Sequence, residues 1–129
     1  MSRYSFFNSH RRILRIGTGK EDFEPGDAIC NHHQGRIGRY FAQVLGKQVL
    51  RSGTSVGANY REASRGRSKA EFISKIGDSL KEIEETEYWL ELLVESGCLF
   101  ARTMSDLLDE TRQLIAIFTT IDKNSKRNL

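Results

Sequence analysis

The sequence is short of the residues that staple, break or anchor a chain. Its two cysteines, Cys30 and Cys98, stand far apart, which excludes a disulfide framework as the organising scheme. Its one proline is Pro25, so nothing beyond that point carries a helix-breaking ring. No apolar run approaches the roughly 20 residues that cross a bilayer; the stretch from Leu114 to Phe118 is among the longest. Residues Met1 to Asn8 contain no secretory apolar core, so a cytoplasmic location and no membrane partner are expected. The phosphate-cradling pattern G-x-x-x-x-G-K-[ST] is missing, which removes a nucleotide P-loop. No Ser/His/Asp or metal constellation nominates an active site, so an enzyme is the least expected class and no cofactor is expected.

The 129 residues are 38% hydrophobic and 29% charged, the composition of one soluble globular domain. Their net charge of +3 hides a segregation. Residues 1–70 hold 13 Lys/Arg against 5 Asp/Glu, whereas residues 71–129 hold 7 against 12. A basic half of this kind faces nucleic acid, or the acidic half of a neighbouring copy; a plain solvated distribution is the bland reading of the same numbers.

Organisation follows the glycines. Residues 1–38 contain Gly17, Gly19, Gly26, Gly35, Gly38 and the proline, with no helical or alternating period, and form a poorly patterned amino-terminal segment. Residues 39–122 form the helical domain, and 123–129 a basic tail into which the last helix frays. Winding Val44 to Arg65 at helical spacing puts Leu45, Val49, Ser52, Val56, Asn59, Tyr60 and Ala63 on one face. Beside it runs a strip of Gly46, Gly53 and Gly57. Each glycine costs a helix about 1 kcal/mol relative to alanine, a cost recovered where another backbone approaches closely.

A basic turn, Arg61 to Lys69, separates this helix from the next. Ser68 and Glu71 form an S-x-x-E capping box, which marks a helix start because each side chain satisfies an orphan amide. That helix runs to Ser96 and stops at Gly97, a length of about 40 Å. Its core face is Phe72, Ile76, Leu80, Ile83, Leu90 and Val94, with Glu87 in the middle. Tyr88, Trp89, Leu92 and Leu93 lie off that face, so the helix is apolar nearly all round toward its end and is expected to be buried on two sides. The last helix starts at Thr103 or Ser105 and shows a stripe of Leu107, Leu114, Phe118 and Ile121, widened by Leu108 and Ile115. Long amphipathic helices joined by short turns pack as an antiparallel all-α bundle.

Three stretches in order, Gly46-Lys-Gln-Val-Leu-Arg-Ser-Gly-Thr-Ser-Val-Gly-Ala-Asn-Tyr-Arg-Glu-Ala63, Ser68-Lys-Ala-Glu-Phe-Ile73 and Glu85-Thr-Glu-Tyr-Trp-Leu90, resemble the bacterial four helix bundle proteins, also called 23S rRNA intervening-sequence proteins. The resemblance runs from about Val44 to Ile121. It implies an antiparallel up-and-down four-helix bundle assembling as a homo-oligomeric ring, a pentamer, with no catalytic activity established. More remotely related bundles serve diversity-generating retroelements, where they are thought to bind nucleic acid and a reverse transcriptase. The family begins with a long amphipathic helix; here the matching stretch is rich in glycine and histidine. The first helix is therefore expected to be shortened, within Asp27 to Leu45, or missing.

Candidate sites follow from charge and burial. Glu87 on a core face needs a partner, since an unpaired buried charge costs several kcal/mol; Arg51, Ser52 and Asn59 are the expected members of that structural polar network. Glu84, Glu91 and Glu95 form a second row that repels itself unless cations reach it. Arg61, Arg65, Arg67 and Lys69 precede a helix amino terminus, where exposed amides and flexible cations suit a phosphate, and Lys123, Lys126 and Arg127 extend the patch. RNA or DNA backbone is the expected partner of this rim, against the plainer reading of an ordinary basic turn. Tyr88, Trp89, Leu92 and Leu93 are the expected oligomer interface. His10, Cys30, His32 and His33 match no standard zinc spacing, so no metal is expected. Cys98 reads as a small reduced residue. The functional expectation is a non-enzymatic, self-associating helical bundle that holds nucleic acid on a basic rim. The alternative is a protein-interaction adaptor in which the off-face aromatics bind another protein.

Overall fold

A computed structural model describes residues 36–127, with the side chains of residues 36–39, 41 and 103 left aside. Three helices account for nearly all of them: α1 (Arg36–Ser64), α2 (Lys69–Glu95) and α3 (Ala101–Arg127). The fold among the described residues is all-helical. The expected amino-terminal segment, a shortened first helix before Arg36 included, lies outside them. Within them, Arg36 to Leu45 is not a separate helix but the opening of α1.

The boundaries have local causes. At the start of α2, Ser68 is extended and its Oγ accepts from the Glu71 amide at 3.1 Å. The Glu71 carboxylate in turn accepts from the Arg67 amide at 2.9 Å, which completes the capping box. At the other end the chain turns at Gly97, whose φ of 74° lies in the left-handed region. The Leu99 amide donates back to the Leu93 carbonyl at 3.1 Å, so orphan carbonyls of the last turn are used. α3 does not fray at Lys123 but continues to Arg127. Lys126 pairs with Asp122 one turn earlier at 2.7 Å, and cations in a last turn complement the helix dipole.

α2 is the middle layer. Its buried residues are Ile76, Ser79, Ile83, Thr86, Leu90 and Leu93, one three-four stripe, and α2 packs against both α1 and α3. One apolar cluster joins Leu45 and Val49 of α1 to Leu90 and Leu93 of α2, then to Cys98, Leu99, Met104 and Leu107. A second joins Val56 and Ala63 to Ile76 and Ile83, then to Leu114 and Phe118. The partners run antiparallel: residues early in α1 meet residues late in α2, and these meet residues early in α3. Gly46 and Gly53 are buried and Gly57 partly so.

This arrangement corrects the expected core face of α2. Glu87 is not in its middle; Thr86 is. The stripe is rotated because Ser79 and Thr86 count as core residues, each hydroxyl meeting an oxygen. Thr86 Oγ1 donates to the Glu82 carbonyl at 2.7 Å, and Ser52 of α1 shares a 2.8 Å hydrogen bond with the Thr86 hydroxyl. Ser79 donates to the Val56 carbonyl across the helix pair at 3.3 Å. A side chain as short as serine reaches a neighbouring helix backbone only where the two helices lie close.

Two glycines give opposite expectations. At Gly97 a side chain meets left-handed strain, so Gly97→Ala lowers stability by about 1 kcal/mol. Gly77 is helical, and a Cβ built there meets nothing within 4 Å; Gly77→Ala raises stability by about 0.5–1 kcal/mol. Thermal or urea unfolding followed by circular dichroism measures both, and an unchanged Gly97→Ala midpoint would contradict the turn.

Candidate nucleic-acid interface

Because α1 and α3 both run opposite to α2, the end of α1, the start of α2 and the end of α3 lie at the same end of the bundle. Ala63, Phe72 and Ile121 join one cluster there. The topology therefore brings together the basic residues that the sequence held some sixty positions apart. Arg61 comes from the last turn of α1, Arg65 and Arg67 from the turn, Lys69 from the first residue of α2, and Lys123, Lys126 and Arg127 from the end of α3. All seven are exposed. The neighbouring acids have their own partners: Glu62 pairs with Lys75, Glu71 caps α2, and Asp122 pairs with Lys126.

One part of the expected chemistry is corrected. The sequence suggests a turn that offers backbone amides to a phosphate, yet several are engaged within the chain. The Arg65 amide donates to the Glu62 carbonyl and the Gly66 amide to the Ala63 carbonyl, both at 3.1 Å. Arg67 and Glu71 amides are taken by the capping box. A carboxylate already stands where an anion would sit at the α2 dipole. What this end offers is cationic side chains on an outward-facing surface.

The polar network expected around Glu87 is divided into three. Glu87 is about a quarter exposed and accepts from Arg112 of α3 at 2.7 Å, and the same guanidinium reaches Glu91 at 3.1 Å. Arg51 turns instead to Glu85 at 2.6 Å and Glu82 at 3.3 Å. Ser52 bonds Thr86. Asn59 is half-buried and makes no side-chain bond among the described residues. Reading α2 alone could not find Arg112, because its cation stands on a helix 25 residues away. Charge was the available signal: the acidic rows of α2 need cations from both neighbours. Glu91 obtains one from within the chain, while Glu84 and Glu95 stay exposed.

The expected oligomer interface also separates. Leu93 is 1% exposed and belongs to the internal core, because the three-four spacing that contains Leu90 also contains it. Tyr88 is 56% exposed, its ring edge-on to Trp89 at 5.0 Å. Trp89 and Leu92 are half-buried against the first cluster, and Trp89 Nε1 is sealed from solvent without an acceptor in bonding geometry. Cys98 is buried and reduced. His10, Cys30, His32 and His33 lie outside the described residues. Among the described residues no helix is long and apolar enough to cross a membrane.

These features define a family. The description "23S rRNA-intervening sequence protein" matches residues 36–120, which span all three helices nearly to their end; the chain belongs to that family. It is similar to a solved Bacteroides thetaiotaomicron structure described as a protein of unknown function from the S23 ribosomal protein family. The two are 30% identical, with a TM-score of 0.70, over 92% of this chain and 95% of that one. No curated protein matches.

The clamps set a pH dependence. The Arg51 guanidinium holds the Glu85 carboxyl below its usual range, against a smaller opposing effect of burial. A carboxyl depressed in the folded state contributes stability above its unfolded pKa and loses it as pH falls through the folded pKa. Arg51→Gln is therefore expected to lower the melting temperature near neutral pH, with the deficit shrinking in acid. Melts of both proteins across the acid range measure it; a deficit that grew in acid would contradict the pairing. Arg112→Met leaves Glu87 and Glu91 facing each other one turn apart. Its destabilisation should be larger at low salt than at high salt, and a salt-independent effect would point to lost packing instead.

Proposed function

We propose that the protein is a non-enzymatic helical bundle that self-associates and presents its basic end to the phosphate backbone of RNA or DNA. The observation that carries the reading is the convergence on one end of cations from three chain segments, seven in all, of which Lys126 is paired with Asp122. Such a surface attracts a polyanion through counterion release and carries no sequence information of its own. The family's name mentions 23S rRNA, which agrees with RNA as one such polymer. Self-association draws on Tyr88, with Trp89 and Leu92 beside it, an aromatic surface of the kind enriched at interfaces. In a ring the basic ends of several copies act together, so weak individual contacts add through avidity.

The four-helix bundle belongs to the same proposal. α1 and α3 each pack on α2 and meet one another through side chains such as the half-exposed Tyr60 and the buried Phe118, whose rings are 5.7 Å apart. That arrangement supports reading them as three corners of a square bundle.

The alternative, a protein-interaction adaptor, shares the aromatic surface and leaves the basic end idle. Gel shift against structured RNA separates the two. Binding is expected to weaken steeply with salt and to be lost on Arg65→Glu with Arg67→Glu. Binding unaffected by that charge reversal, or none at low salt, would contradict the proposal. Light scattering is expected to give a mass several times that of one chain, and a monomer would remove the ring and its avidity.

A further inference from the structure

We infer that the basic end selects double-stranded over single-stranded nucleic acid. This inference rests on the proposed function and adds the class of polymer. Proteins that bind single strands place aromatic rings among their cations, because the unpaired bases must stack on something. Among the described residues the two are largely separated. The exposed aromatics Tyr40 and Tyr88 lie about 30 Å along the helices from the basic end, at 1.5 Å per residue. Tyr60 is the exposed aromatic nearest the cations, and its ring is committed edge-on to Phe118 at 5.7 Å. Among the described residues, that one partly covered ring is what an unpaired base finds beside Arg61, Arg65, Arg67 and Lys69, where single-strand binders line up several.

A discrete phosphate is not served either. The capping box occupies the α2 amino terminus with the Glu71 carboxylate, so a mononucleotide gains no amide cradle. What remains is breadth. Helices pack with axes 8–10 Å apart, so three helix ends and their long side chains spread cations over a front of about 20 Å. A duplex offers one charge per roughly 1.7 Å of axis, with both strands within reach of such a front. Only phosphates are addressed, so affinity is indifferent to sequence.

Fluorescence anisotropy of the full chain tests this with short blunt duplexes of two unrelated sequences, as DNA and as RNA, and with each strand alone. Measurements at about 50 and about 200 mM salt give the charge dependence. Duplexes are expected to bind about tenfold tighter than their strands or more, with the two sequences equal and Arg65→Glu with Arg67→Glu lowering the salt slope by about 2. The DNA and RNA arms show which duplex is preferred. Tyr60→Leu, which keeps an apolar side chain against Phe118, is expected to leave affinity unchanged. Strands that bind as tightly as duplexes, or a large loss on Tyr60→Leu, would overturn the inference and leave the basic end as a nucleic-acid surface. Failure of every polymer to bind would instead overturn the proposed function itself.

Discussion

The structure depends on one constraint: α2 must bury its stripe on two sides at once. Ile76, Ile83, Leu90 and Leu93 are each at most 1% exposed, and both clusters that bury them draw side chains from α1 and α3 together. α1 and α3 therefore take adjacent sides of α2, close enough for the Tyr60 and Phe118 rings to meet at 5.7 Å. Removing one of these side chains leaves a void that the neighbours fill only in part, at a cost of about 2–5 kcal/mol for Leu or Ile to Ala. Antiparallel packing on both sides then decides which chain ends coincide, and with them the position of every basic residue discussed above.

Charge follows the same geometry. The sides of α2 that are not buried carry Glu82, Glu85, Glu87 and Glu91, and each flanking helix supplies one arginine that spans two of them. Exposed pairs of this kind add little stability individually. Their effect is more one of placement, since each arginine relieves repulsion along an acidic helix that would otherwise favour a different neighbour. With four acids of α2 engaged internally and cations of α1 and α3 gathered at one end, a chain of net charge +3 presents a concentrated positive surface.

How much of this is legible in the sequence varies with how local the signal is. The α2 start was legible because Ser68 and Glu71 complete a motif within four residues, and its stop because Gly97 alone can take a φ of 74°. The stripe of α2 was legible only in part. An apolar-only wheel passes over Ser79 and Thr86, whose hydroxyls are buried against oxygen atoms, and it consequently set Glu87 in the core and Leu93 outside. Partners across helices were not legible. Nothing near Glu87 in sequence points to Arg112, and nothing near Ser52 points to Thr86. The basic end lies between these cases: its residues were visible one by one, and their convergence needed the direction of α3.

The direction of α3 is accordingly the claim to measure. Spin labels on cysteines introduced at Ser64 and Asn124, with Cys30 and Cys98 replaced by serine and unlabelled protein added to suppress signals between copies, report the separation of the two helix ends by pulsed electron resonance. An antiparallel order predicts a single short distance of about 15 Å, near the diagonal of a bundle whose neighbouring axes lie 8–10 Å apart. A distance near 40 Å, the length of a 27-residue helix at 1.5 Å per residue, would place the carboxy-terminal cations at the far end and contradict the account.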